Sequence, residues 1–368
     1  MNSGKTTLQD LLSCPISETV GPTETPSDLP AAPPLPAILD APTEEELRRA
    51  VSDRASFSTR TAGLQLVWDA TSISAFLACP TRYYYSIILG LTPQYKSVHL
   101  TFGGAYQRAL ETYDRERLRG KAHRDAMIDA VAVGYREGAA LPLDKRPDNL
   151  PVEAPTPPPE VKRRDQLVRA IVDHCEQFAD DPLETVTLAD GTPAVELSFR
   201  FDSGIQLCGE EIQLSGHFDR VVKPWNVLDH KTSKNAVDDK YRMKMELSTQ
   251  MYQYGFGSSV IRPDEAATTT LVIDVVQMLA DNVRTSRFPI RYTQPQLREY
   301  YDDLSQQLPA AGDYIRNRRF PRNRESCLLC DFKRICRVDP SIRPHIAATE
   351  FARRYWDPAT PRTEESAR

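Results

Sequence analysis

The stretch Gly216-His217-Phe218-Asp219-Arg220-Val221-Val222, followed by Trp225-Asn226-Val227-Leu228-Asp229-His230-Lys231-Thr232, reads as two β-strands joined by a short turn around Pro224. Side chains alternate between the two faces of a strand, so Asp229 and Lys231, two apart, share a face. A tight connection brings Asp219 alongside them. Two carboxylates and an ammonium group are therefore expected to converge at one end of a sheet. Hard carboxylate oxygens suit Mg²⁺ or Mn²⁺. A lysine beside them can orient water and offset charge on a phosphate. Asp-x-Lys by itself is also an ordinary charged pattern on a solvated sheet face; the neighbouring acid-bearing strand sets this one apart.

Around this pair the chain alternates helical and extended signals. Ser72-Ile73-Ser74 ahead of an apolar run marks a helix start, and Pro80 interrupts that helix or opens a second. Gly103-Gly104 is expected to open a helix over 104–119, with Ala105, Ala109 and Leu110 on its inner side. Further helices are predicted at 121–137, 162–180, 243–259 and 294–317. Strands are expected at 194–201, 205–208, 212–222, 227–231, 269–278 and 286–292. This order predicts a mixed α/β sheet with helices packed on it. Residues 142–159 hold seven prolines and are expected to form an exposed loop.

Composition bounds the rest. The chain has 368 residues, 46 Lys and Arg against 51 Asp and Glu, and a net charge of −5. It is no polycation, so any nucleic-acid site must be a local patch. No apolar run reaches the ~20 residues a membrane span needs; the longest, 268–280, is broken by Asp274 and Gln277. The first residues, MNSGKTTLQD, lack a basic start and an apolar core, so no export signal is expected and a cytoplasmic location is. With no export signal, the seven cysteines are not expected to form a disulfide framework. Gly4-Lys5-Thr6 has neither the upstream glycine nor the strand of a phosphate-binding loop, so the chain is not expected to be a helicase. Pro22, Pro26, Pro30, Pro33, Pro34, Pro36 and Pro42 point to an unstructured tail over 1–55, followed by one domain over 56–340 and a C-terminal tail over 341–368.

Cys327, Cys330 and Cys336 are spaced Cys-x2-Cys-x5-Cys. Thiolates so close must converge and prefer soft or borderline metals; zinc or an iron–sulfur cluster would need a fourth ligand. Spacing alone does not choose among Cys79, Cys14, Cys175 and Cys208. The surrounding segment carries Arg316, Arg318, Arg319, Arg322, Arg324, Lys333, Arg334, Arg337 and Arg343 against three acids, a strip that could follow a phosphate backbone. Tyr83, Tyr84 and Tyr85 beside Arg82 offer either base-stacking surfaces or core packing.

The two strands resemble the core of the PD-(D/E)xK nuclease superfamily, and most of all its RecB-like branch, with the pattern Gly-x-x-Asp…Asp-x-Lys at Gly216, Asp219, Asp229 and Lys231. Gln250 and Tyr254 match that branch's Gln-x3-Tyr signature on one helical face. Phe102 to Glu111 resembles its Gly-x3-His-x2-Leu-Glu helix, with Gln107 where a histidine ligand is usual; Glu196 fits its acid on the first core strand. The resemblance implies a restriction-endonuclease-like mixed sheet flanked by helices. It implies a metal-dependent deoxyribonuclease, an exonuclease of recombination, repair or phage DNA metabolism. Asp219, Asp229, Gln107 and the His230 carbonyl would hold Mg²⁺ or Mn²⁺, Lys231 would activate water, and Gln250 and Tyr254 would position the DNA strand. It also selects Cys79: members with a "Cys-Pro-x-x-aromatic" helix and three C-terminal cysteines (the AddB-type and CRISPR-associated RecB-like nucleases, and phage exonucleases) carry a [4Fe–4S] cluster, which here would be held by Cys79, Cys327, Cys330 and Cys336 in a helical subregion. DNA is the implied partner, with a helicase or recombinase as a further kind of partner. The departure at Gln107 keeps open a catalytically weak DNA-binding or CRISPR-adaptation factor of the same fold.

Overall fold

The structure is a computed structural model and describes residues 34–94, 97–142, 162–262, 268–279 and 282–360. Gly4-Lys5-Thr6 and nearly all of the proline-rich 142–159 segment lie outside the described residues.

The architecture is the expected mixed α/β sheet with helices around it. Strand β1 (Val67–Trp68) runs parallel to β4 (Glu210–Val222), which also pairs antiparallel with β3 (Val195–Leu207) and with β5 (Asn226–Ser233). β5 is parallel to β6 (Thr268–Met278), and β7 (Val283–Thr293) closes the sheet antiparallel to β6. β2 (Leu91–Pro93) and β8 (Phe351–Arg353) form a separate antiparallel pair.

The β4 edge facing β5 decides where a site can form. Its far end pairs with β5 only at Val222, Val221 and Arg220. Its near end pairs with β1 only at Gln213 and Leu214. Between these, Ser215 to Asp219 has no ladder partner on that side, and a cleft opens there. The ladder to β5 stops where the next opposing pair would be Asp219 and Asp229.

Helices cover both faces. α1 (Glu44–Ala50) starts on a capping box between Thr43 and Glu46. α2 (Ala70–Ala78) is capped by Asp69; α3 (Pro80–Tyr83) has Pro80 at its start and continues into a wide turn, Tyr84–Ile88. α4 (Val98–Leu118) is capped by Ser97, so Gly103 and Gly104 lie inside it rather than at its start. Its buried residues, Phe102, Ala105, Tyr106, Ala109, Leu110 and Tyr113, follow helical spacing. They pack with α5 (His123–Glu137) and α6 (Arg164–Gln177).

The expected helix at 243–259 is two helices, α7 (Asp239–Glu246) and α8 (Thr249–Ile261), because Ser248 caps a new start. The expected helix at 294–317 is likewise split, into α9 (Gln294–Gln307) and α10 (Pro309–Arg316), at Pro309, which cannot continue the ladder of the preceding helix. The strands expected at 194–201 and 205–208 are one strand, β3, with an irregularity between Asp202 and Gln206 where Gly204 takes a positive φ.

The bounds of both expected tails need correction. The tail does not extend to 55: from residue 34 the chain packs into the fold, and Leu39 and Leu47 are 0 % and 1 % exposed. Each such side chain stabilises by about 1.5–3 kcal/mol. Nor is 341–368 a tail throughout, since α11 (Lys333–Arg337) is followed by α12 (Arg343–Glu350) and by β8. Of the two readings of Tyr83, Tyr84 and Tyr85, core packing holds: all are fully buried, with Tyr83 stacked on Trp68 and Tyr84 on Phe320.

Candidate active site

Register places three acids in a row across three strands. On β3, Glu196 lies between the paired positions Val195↔Arg220 and Leu197↔Phe218, opposite Asp219 on β4. On β5, Asp229 follows the Arg220↔Leu228 pair and so lies opposite Asp219 from the other side. Glu196 takes a φ of 53°, a strained left-handed conformation for a residue with a side chain.

Hydrogen bonds tie the row together. The Gln107 amide, on α4, donates to Asp219 Oδ1 at 2.6 Å and to Glu196 Oε1 at 3.2 Å. The His230 backbone N–H donates to Asp219 Oδ2 at 2.8 Å. Within a strand one residue's N–H and C=O face the same edge, so the His230 carbonyl is turned toward Asp219 as well. Lys231 reaches back to Asp229 at 2.6–2.8 Å. On α8, Gln250 Nε2 donates to the Tyr254 hydroxyl at 3.0 Å.

Gln107, Asp219, Lys231, Gln250 and Tyr254 line one cavity of about 270 Å³ in the open stretch of β4. The structure thus brings these sequence-selected residues together, with Asp229 buried beneath Lys231 and Glu196 bridged through Gln107. Gly216 forms part of the wall; a Cβ there would lie 2.6 Å from the Phe199 ring, so the position admits glycine alone without repacking.

The electrostatics are those of a cation site. Burial pushes the Asp219 carboxyl well above its ordinary value, and Asp229 and Glu196 push the same way; Lys231 and the His230 N–H oppose them. Burial also raises Asp229, with Lys231 again opposing. One ammonium group does not balance three carboxylates. A hard divalent ion would supply the missing charge, and the oxygen-rich donor set fits one.

Two contributors escaped the sequence reading. Trp356 lines the cavity from the C-terminal segment, where Nε1 donates to Asp69 Oδ2 at 2.8 Å and the backbone oxygen accepts from Arg54. A lone tryptophan among charged residues carries no periodic signal. The other is a charged network on the opposite face of the sheet. Asp274 Oδ2, on β6, accepts from His174 Nε2 at 3.0 Å and from Arg287 Nε at 2.7 Å, and Asp181 joins Arg287 to Arg220. Burial raises Asp274, but His174, His230 and Arg287 outweigh it and hold the carboxyl well below its usual range. Burial lowers the His230 imidazole to about 3, so the ring is neutral. His174, His230 and Asp274 have ligand atoms within 4.8 Å of one another. Arg287 already occupies that carboxylate, so the group fits an added cation poorly.

The family model for the PD-(D/E)XK nuclease superfamily matches residues 68–337. The chain belongs to that superfamily. The matched span of this superfamily member runs from β1 to α11 and so contains every residue of the acid row. Among solved structures it is similar to a candidate exonuclease from Eubacterium rectale, at 12% identity over 74% of this chain and 88% of that one, with a TM-score of 0.42. It is similar also to the protein SSO0001, at 19% identity over 39% of this chain and 59% of that one, with a TM-score of 0.24. No curated protein matches it.

The cysteines lie away from this cavity. Cys79, between α2 and α3, is buried; Cys327, Cys330 and Cys336 are half-buried. Asn323 joins the two segments: its N–H donates to Cys79 Sγ at 3.3 Å, and its carbonyl accepts from Cys327 Sγ at 3.7 Å. Burial raises the Cys330 and Cys336 thiols. Among the described residues, no three sulfurs come within 4.8 Å of one another.

None of the basic strip's residues lines the cavity, and four of them are held in ion pairs. Arg322 and Arg343 pair with Asp40, Arg316 with Asp313 and Arg334 with Glu350.

Proposed function

We propose that this protein is a Mg²⁺- or Mn²⁺-dependent deoxyribonuclease of the RecB-like branch, acting as an exonuclease on DNA ends in recombination, repair or phage DNA metabolism. The observation that carries the reading is the row Glu196–Asp219–Asp229 across three strands with Lys231 beside it. Asp219, Asp229, the His230 carbonyl and the amide oxygen of Gln107 are the donors that would hold the ion. The ion, when bound, supplies Lewis-acid polarisation of the phosphate and lowers the pKa of water. Lys231 orients the attacking water and offsets charge developing on the phosphate oxygens. Gln250 and Tyr254 present hydrogen-bonding groups from one face of α8 to the strand being cut.

The proposal includes a [4Fe–4S] cluster held by Cys79, Cys327, Cys330 and Cys336. Its support is the meeting of the two cysteine-bearing segments through Asn323. Thiolates on a single zinc stand about 3.8 Å apart, given Zn–S bonds near 2.3 Å in a tetrahedron. A four-iron cube spreads its ligands over four corners, so it needs them farther apart than a single zinc does. Iron analysis and a broad visible absorption, lost on oxidation, test it; zinc in place of iron refutes it.

A second reading has one observation in its favour: the Gln107 amide donates to two of the acids. That arrangement suits a chain that binds DNA, as a CRISPR-adaptation-type factor would, and cuts it slowly. Purified protein, Mg²⁺ or Mn²⁺ and DNA labelled at either the 5′ or 3′ end decide between the readings. Release of labelled nucleotides that disappears in Lys231→Ala supports the enzyme. Binding without release supports the second reading.

A further inference from the structure

A second depression adjoins the catalytic cavity, and Lys231 lines both. It has a volume of about 860 Å³ and runs from the end of β5 along α7. Its wall holds Lys162, Lys231, Lys234, Lys240 and Lys244 against one carboxylate, Asp238. That carboxylate is engaged in capping α7, where it accepts from the Tyr241 N–H. Lys162 is buried and donates to Thr232 Oγ1 at 2.7 Å, so it belongs to the floor. Lys234, Lys240 and Lys244 are exposed and make no ion pair among the described residues. Lys240 and Lys244 are one turn apart and share a face of α7. No residue of α7 is fully buried, so little of this helix serves the core. Met243 and Leu247 stand among the lysines at 54 % and 66 % exposure.

We infer that this groove is the track for one single strand of DNA, which passes along α7 and reaches the acids past Lys231. The inference rests on the nuclease reading above and names its substrate as single-stranded. Exposed ammonium groups along one wall, with a single carboxylate among them, attract a phosphodiester backbone. The exposed apolar side chains beside them offer contact to unstacked bases; a duplex turns its bases inward and cannot use them. Asp229 is 1 % exposed, so the strand must enter the cavity for its phosphate to reach the acids.

Fluorescence anisotropy of the full-length chain with a labelled oligothymidylate, in EDTA to stop cleavage and across a potassium chloride series, tests the track. Each lysine–phosphate contact on a single strand contributes about −0.7 to the slope of log K against log salt. Replacing Lys234, Lys240 and Lys244 together by alanine is expected to make that slope shallower by about 2 and to weaken binding about tenfold or more at low salt. Arg318→Ala with Arg319→Ala and Arg324→Ala, on the other basic segment, is expected to bind as the unaltered chain does. Lys240→Gln alone should show a third of the slope change if the triple variant melts early. An unchanged slope in the lysine variant, or the loss appearing in the arginine variant, overturns the track. A blunt duplex that binds as tightly as the single strand overturns the choice of substrate. Binding that follows the lysines while no nucleotide is released with Mg²⁺ or Mn²⁺ leaves the track standing and refutes the nuclease.

Discussion

Gln107 and Glu196 show how much of this site depends on single residues. The Gln107 amide nitrogen holds Asp219 and Glu196 together, so an ion entering there must displace it or meet the amide oxygen. Imidazole is a softer and stronger donor than an amide oxygen and favours Mn²⁺ over Mg²⁺. Gln107→His is therefore expected to lower the Mn²⁺ concentration needed for half-maximal cleavage several-fold, with a smaller change for Mg²⁺; metal titrations of the cleavage rate check this. Glu196 combines a left-handed backbone with a buried charge facing another acid. Such a conformation costs about 1–3 kcal/mol for a residue other than glycine. Glu196→Gly is expected to raise the melting temperature of the metal-free chain while lowering cleavage, a pairing read from thermal melts and rates on the same preparation. The sequence assigned Glu196 by resemblance to the acid of the first core strand; its backbone angle and the opposing acid were not legible, because neither is a local property.

At the scale of elements, the segment before β1 is fastened to β4 by Glu210. Its carboxylate accepts from Ser58 Oγ at 2.8 Å and Thr61 Oγ1 at 2.7 Å and pairs with Arg60 at 3.2 Å. Burial pushes this carboxyl up, but the Thr61 and Ser58 hydroxyls and Arg60 outweigh it and hold it below its usual value. A carboxyl depressed in the folded state adds stability above its unfolded pKa of about 4.3, and that stability is lost as pH falls through the folded value. Glu210→Gln is expected to cost about 1–3 kcal/mol near neutral pH and to melt with a weaker acid dependence below pH ~4; urea unfolding at several pH values measures both. The strands β4 and β5 and the shared face of Asp229 and Lys231 were legible because the two-residue period of a strand is local. The docking of 34–55 was not: its prolines and acids resemble a linker, and only the burial of Leu39 and Leu47 against distant partners makes it part of the fold. The helix break at Ser248 was missed because no proline or glycine marks it; only the Ser248 hydroxyl accepting from the Met251 N–H does.

On the scale of the whole molecule, the chain closes on itself twice. β8 returns to pair with β2, and the segment beyond it carries Trp356 to Asp69 and the cavity. Before it, the cysteine segment meets the α2–α3 junction, where Thr81 donates to the Phe320 carbonyl at 2.7 Å and Ser326 to that of Ala78 at 2.8 Å. A cluster on Cys79 and Cys336 would therefore staple an interface already formed by hydrogen bonds, and its main effect would be on the unfolded chain. Closing a loop of well over two hundred residues restricts that chain by about 5–6 kcal/mol on the loop-entropy model. In a protein of this size that is roughly 10 °C of melting temperature. The acid row is held by the sheet register and by Gln107, none of which involves a cysteine. Cys79→Ser is thus expected to lose iron and melt roughly 10 °C lower, while keeping measurable cleavage below its melting point, where Lys231→Ala has none. Iron content, a thermal melt and a cleavage assay on the same sample check all three. A Cys79→Ser protein that retains its iron, or melts unchanged, removes the staple from the account of this fold.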